Sequence, residues 1–144
     1  MSILLETLTK ALKEQKYIFE PLSGGGGYNV GFTNSKNNSN WDLNIIIFNN
    51  KDTENVFLKL DFHLFELKLS NFSLMDKLLV LLNSINSKIL MGKFLLDIDF
   101  NVYFRLNVDV TGSDISTTTI KHWISLGNNS IEKYYERIKE ICEV

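Results

Sequence analysis

Apolar positions recur along this chain in two different periods. Ile3, Leu4, Leu8, Ala11 and Leu12 share one side of a 3.6-residue period, which predicts a first helix over 3–15. Tyr17-Ile18-Phe19-Glu20 reads as a short extended run closed by Pro21, and the four glycines Gly24–Gly27 follow as a turn. Tyr28–Phe32 is a further short strand candidate. Residues 33–40, TNSKNNSN, hold no apolar anchor and predict a polar loop. Beyond it, Trp41, Leu43, Ile45 and Ile47 mark one face of a strand over 41–50.

The most regular alternation follows. Val56, Leu58, Leu60, Phe62 and Leu64 take one face of a strand, and Phe57, Lys59, Asp61, His63 and Phe65 take the other. A helix starting near Ser73 carries Leu74, Leu78, Leu79, Leu81, Leu82, Ile85 and Ile89 around more than half its circumference. A helix this apolar is either buried or shared with a second subunit. After Gly92 a hairpin places Phe94, Leu96 and Ile98, then Val102, Phe104, Leu106, Val108 and Val110, toward the core. Asp99 and Asn101 stand at its turn, and Tyr103, Arg105, Asn107 and Asp109 face outward. The last segment is helical. Ile120, Trp123 and Ile124 precede a break at Gly127, and Asn129 with Glu132 restarts the helix that carries Ile131, Tyr134, Tyr135, Ile138 and Ile141.

The order is α-β-β-β-α-β-β-α. Strands in hairpin groups separated by helices predict an α+β fold, with an antiparallel sheet of about five strands and helices packed on one face. At 144 residues, with no repeat and no dividing linker, residues 1–144 form one domain.

Composition narrows the function classes. Hydrophobic residues make up 44% and charged residues 22%, which excludes wholesale disorder. A net charge of -2 with no basic stripe argues against nucleic acid as a partner. The N-terminus contains Glu6 and lacks a basic leader, and the apolar stretch 72–96 is interrupted by Asp76, Asn83, Asn86, Lys88 and Lys93. No membrane span is expected, and the protein reads as soluble and cytoplasmic.

No catalytic, cofactor or metal site emerges from the motifs. The glycine run lacks the helix and the Lys-Ser/Thr pair of a phosphate loop. Asp97, Asp99 and Asn101 imitate the start of a calcium loop, but Val102 and Val108 stand where a glycine and a bidentate acid are required. His63 and His122 share no ligand spacing, and Cys142, near a frayed terminus, is not expected to have the base and sheltered site a nucleophile needs. What remains is the outward sheet face. Ile46, Phe48, Phe57, Phe65 and Tyr103 form an apolar set suited to a protein partner. The polar stripe Lys59, Asp61, His63, Tyr103, Arg105 and Asp109 offers a second reading, a small anionic ligand held by Lys59, His63 and Arg105.

The segment LLVLLNSINSKILMGKFLLDIDFNVYFRLNVDV resembles the YbjN family, whose fold is similar to that of type III secretion chaperones. The resemblance rests on Leu82-Asn83-Ser84-Ile85-Asn86, Gly92-Lys93-Phe94, Leu96-Asp97, Phe104-Arg105 and the closing helix with Ile131 and Tyr134-Tyr135. It covers 72–140 well and is looser before Trp41; the glycine run and the 33–40 loop depart from it. It implies an α+β domain, often dimeric, that acts by binding proteins and has no catalytic residues. The expectation is therefore a non-catalytic, chaperone-like or regulatory adaptor that captures a protein client as a homodimer. The alternative is a small-ligand-binding domain or small enzyme using the polar outer face.

Overall fold

In the computed structural model, residues 3–34, 39–67 and 72–143 are described. Their elements are α1 (Ile3–Glu14), β1 (Phe19–Pro21), β2 (Gly27–Asn34), β3 (Ser39–Asn50), β4 (Asn55–Glu66), α2 (Phe72–Asn86), β5 (Lys93–Leu96), β6 (Asn101–Asp109) and α3 (Thr117–Glu143). All strands join one antiparallel sheet in the order β1-β2-β3-β4-β6-β5. The α+β class, with helices on one side of the sheet, is as the sequence predicts. The strand count is one higher, because the short candidate at Tyr28 is a full strand that runs to Asn34. The predicted 33–40 loop shrinks accordingly: Thr33 and Asn34 belong to β2, Ser39 and Asn40 to β3, and 35–38 lie outside the described residues.

Period-two alternation sets the inner face. Across the sheet, Leu43, Phe62, Phe104 and Phe94 stand in one register row, and Ile45, Leu60 and Leu106 in the next. All seven are buried. Side chains of this size each contribute roughly 1.5–3 kcal/mol when removed from water. α3 packs over β4 and β6; α1 and α2 pack against α3, and α2 also touches β5. Trp41 on β3 donates its indole N–H to Asn128 on α3 at 2.9 Å, which pins helix to sheet. Among the described residues, the far side of the sheet carries no helix.

Three sequence expectations fail here for physical reasons. The predicted break at Gly127 does not exist, because α3 continues through it. A Cβ built at Gly127 would lie 2.3 Å from the ring of Phe62, so this glycine permits a close helix–sheet approach and does not end a helix. Cys142 is buried on the inner side of the same helix, not placed at a frayed end. Of the apolar residues of α2, Leu78, Leu82 and Ile85 are buried, while Leu79 and Val80 are exposed by 41% and 70%. Ile98, assigned inward by alternation, stands 92% exposed in the β5–β6 turn.

The sheet edges are closed in different ways. β5 is an edge strand, and Asn86 at the end of α2 occupies its free side. The Asn86 side chain donates Nδ2–H to the Phe94 carbonyl and accepts the Phe94 N–H, both at 2.8 Å. A side-chain amide thus stands in for one residue of a neighbouring strand. β1 at the opposite edge is short and ends in Pro21, which has no N–H to offer a further strand.

Candidate functional site

The outer face of the sheet is built from the alternate residues of β3, β4 and β6. Antiparallel register sets them in three rows. Asn44, Asp61 and Arg105 form the first, Ile46, Lys59 and Asn107 the second, and Phe48, Phe57 and Asp109 the third.

Asp61 is the electrostatic centre and is 8% exposed. Arg105 donates Nε–H to Asp61 Oδ1 at 2.7 Å and Nη2–H to Oδ2 at 3.1 Å. Lys59 Nζ lies 3.5 Å from the same carboxylate. This fork-to-fork pairing fixes the guanidinium plane. The hydrogen bond to Asp61 holds Arg105 above its ordinary pKa.

Ile46, Phe48, Phe57, Lys59, Arg105 and Asn107 line a shallow depression of about 470 Å³. Its apolar wall is Ile46, Phe48 and Phe57, with Phe48 54% exposed. Its polar wall is Lys59, Arg105 and Asn107.

The remaining predicted residues are sorted differently. Phe65 is not on this face. The β4–β6 register shifts between His63 and Phe65, a β-bulge that reverses the alternation. The Phe65 ring therefore packs on Tyr135 of α3, 4.8 Å between centroids, and belongs to the core side. Tyr103 is on the outer face, yet at its other end, edge-on to His63 at 5.2 Å. Burial first, then the Asp97 and Asp61 charges, raises the Tyr103 phenol above its ordinary pKa and keeps it protonated. His63 pairs with Asn101 at 3.2 Å. The trio Lys59, His63 and Arg105 is thus split: Lys59 and Arg105 converge on Asp61, and His63 joins a separate cluster with Tyr103 and Asn101. Asn107 completes the depression and was legible only as another outward position of β6.

The other sequence motifs resolve into turns. Asp97 accepts the backbone N–H groups of Asp99 and Asn101, both at 2.9 Å. Its carboxylate therefore orders a hairpin turn. The glycine run forms the β1–β2 turn, with positive φ at Gly24, Gly25 and Gly26. Among the described residues, no three His, Cys, Asp or Glu side chains are grouped to hold a metal ion, and no helix is long and apolar enough to cross a membrane.

Comparison with known proteins gives a consistent picture. Residues 5–140 match the model of the YbjN family, described as "Putative bacterial sensory transduction regulator". A solved structure, "YbjN, a putative transcription regulator from E. coli", superposes with a TM-score of 0.60. It covers 88% of this chain and 84% of its own, at 15% identity, a level at which the likeness concerns the fold. Comparison with curated proteins gives no match.

Proposed function

Because the chain belongs to the YbjN family, we propose that it is a non-catalytic regulatory protein that captures a protein partner on the open outer face of its sheet. The observation that carries this reading is the asymmetry of the two sheet faces. One is covered by three helices; the other exposes Phe48 beside Ile46 and Phe57, and among the described residues no helix lies over it. An apolar group of this kind rimmed by polar side chains is the usual composition of an interaction surface.

A homodimer is the second part of the proposal. Leu79 and Val80 face solvent from α2, while Leu78, Leu82 and Ile85 of the same helix are buried. A second copy of the chain would remove both from water. The adaptor reading also accounts for the site chemistry: Lys59, Asp61 and Arg105 hold one another across the strands.

The test compares tagged wild-type protein with Phe48→Glu in a pull-down from host lysate, with light scattering on the eluates. A partner retained by wild type at fixed stoichiometry and lost from the variant supports the reading. Identical eluates from the two proteins would refute it. Val80→Glu is expected to convert a dimer to a monomer; a wild-type protein already monomeric at high concentration would remove the dimer from the proposal.

A further inference from the structure

We infer that the far half of the β6 edge is a homodimer interface, where Asn107–Asp109 pairs antiparallel with the same residues of a second copy about a two-fold axis at Val108. This deepens the homodimer part of the proposal and rests on it.

Ladder parity identifies the free backbone groups. In an antiparallel sheet, alternate residues turn their N–H and C=O toward the same neighbour. Val110 N–H bonds the Val56 carbonyl at 2.9 Å, so the even-numbered residues of β6 face β4. The odd-numbered ones face β5, and there the Asn101 carbonyl accepts Asp97 N–H at 3.0 Å. β5 pairs only with Val102–Arg105, and the Asn86 side chain that closes it reaches only Phe94. Among the described residues, no strand lies opposite Asn107 and Asp109 on that side, and both are exposed. The chain does not fill the place itself, because it enters β5 through a turn at Gly92, with φ of 81°.

What fits this edge is its own sequence. Free N–H and C=O groups on alternate residues are matched by an extended main chain that offers the same set. Across a two-fold axis at Val108, Asn107 of each copy exchanges both backbone hydrogen bonds with Asp109 of the other, which satisfies every one of these groups on both copies. Beyond Asp109 the chain turns at Gly112, with φ of 66°, so the incoming strand ends before it would meet Lys93. A recess of about 430 Å³ beside Leu90, Met91 and Leu106 is left to receive that turn. α2, which carries the exposed Leu79 and Val80, packs against β5 at this same edge of the sheet.

The charges are complementary as well. Phe94 is buried, so Lys93 before it points to the outer face, in the row of Arg105. Asp109 of the second copy falls in the row of Asn107, in line with Lys93 and two positions from it. Lys93 has no ion-pair partner among the described residues, and Asp109 is held by its own Thr111. Arg105 and Lys59 share Asp61. This part of the face therefore carries three cations, Lys59, Lys93 and Arg105, against two acids, Asp61 and Asp109. Asp97 lies past the other end of β5, and Asp42 stands on β3, two strands from β6. The two Asp109 carboxylates stand diagonal to each other, each beside Lys93 of the other copy.

The test is amide-resolved hydrogen exchange on the wild-type protein from micromolar to near-millimolar concentration, with light scattering on the same samples. A dimer is expected to grow with concentration. Exchange at Asn107 and Asp109 is expected to slow with it by at least about tenfold, while Leu106 and Val108 are slow throughout. Val108→Cys is expected to form a covalent dimer on mild oxidation. Residues directly opposite in a non-hydrogen-bonded pair bring their Cα atoms to about 4.5 Å, within disulfide range. Glu132→Cys, exposed on α3, is the collision control, and the buried Cys142 does not compete. A dimer in which both amides stay in fast exchange, or in which Val108→Cys crosslinks no better than Glu132→Cys, overturns this inference and leaves the homodimer standing. A wild-type protein that is monomeric at the highest concentration overturns both. Slow exchange at Asn107 and Asp109 already in the monomer, or only with a different protein bound, assigns the edge to another occupant and also overturns the inference.

Discussion

Gly127 of α3 lies against the ring of Phe62 on β4, so closely that a single added carbon would fall 2.3 Å from it. Phe62 cannot retreat: it is fully buried, with Phe32 at 6.4 Å and Phe104 at 5.9 Å between centroids. Helix propensity alone favours alanine over glycine by roughly 1 kcal/mol. Overpacking a full core typically costs about 1–3 kcal/mol and here acts against that gain. Gly127→Ala is therefore expected to lower the melting temperature by a few degrees, at about 2–4 °C per kcal/mol for a chain of this size. A melting temperature equal to or above wild type would show that α3 does not seat on Phe62 as described.

Asn86 closes the β5 edge through two hydrogen bonds to Phe94. Asn86→Ala leaves a backbone donor and acceptor without partners beside a buried phenylalanine. The expected loss is about 1–3 kcal/mol in chemical denaturation, softened to the extent that water reaches the edge. Asn86→Asp is expected to be no better, since it keeps the acceptor for Phe94 N–H but turns a second oxygen toward the Phe94 carbonyl. Equal stability of wild type and both variants would contradict this edge closure.

The glycine run separates into two roles. Gly25 needs its positive φ of 77° but has open space around it, so Gly25→Ala should cost only the left-handed backbone penalty of roughly 1–2 kcal/mol. Gly27 has no positive φ, yet a Cβ there would meet the Ile45 carbonyl oxygen at 2.1 Å. Backbone cannot swing aside as a side chain can. Gly27→Ala is expected to be the more damaging of the two and to loosen the β2–β3 pairing, read as faster amide exchange at Tyr28 and Ile47. The reverse ranking would contradict the register.

Acid should weaken the fold in a defined window. Asp97 is held below its ordinary pKa chiefly by the Asn101 N–H, Asp109 by the Thr111 hydroxyl and Glu14 by its bond to Lys121. A carboxylate whose folded pKa lies below its unfolded one stabilises the fold fully above the unfolded value, and that contribution is lost as pH falls through the folded one. The melting temperature is thus expected to be flat with respect to these groups from pH 7 to about 5 and to decline below about pH 4. Asp97→Asn keeps an acceptor for the turn but removes the titration, and should show a shallower decline. An unchanged slope would mean that the Asp97 turn contributes nothing to it.

The fold was legible in the sequence wherever one period held without interruption. β4 from Leu58 to Phe62 and the buried stripe of α3 are examples. It was not legible where one residue changes the phase. The bulge beside Leu64 moves Phe65 from the outer face to Tyr135, and nothing in the run LDFHLFE signals it. Gly127 misled because the usual meaning of glycine near a helix end is termination, whereas its use here depends on a ring supplied by a strand more than sixty residues earlier. In the outer face, the membership of Ile46, Phe48, Phe57, Lys59 and Arg105 followed from alternation. Their division into a depression around Asp61 and a separate His63–Tyr103 cluster required the register between β4 and β6.

The most direct measurement of the proposed role is site-specific photo-crosslinking in the host cell. A photoreactive phenylalanine analogue is placed at Phe48 on the open face and, separately, at the exposed Glu132 on the helical side. The expected result is a discrete adduct with a partner protein from position 48 and none from position 132. Adducts from position 132 alone, or none from position 48 under conditions where the protein is folded and abundant, would contradict capture by the outer face of the sheet.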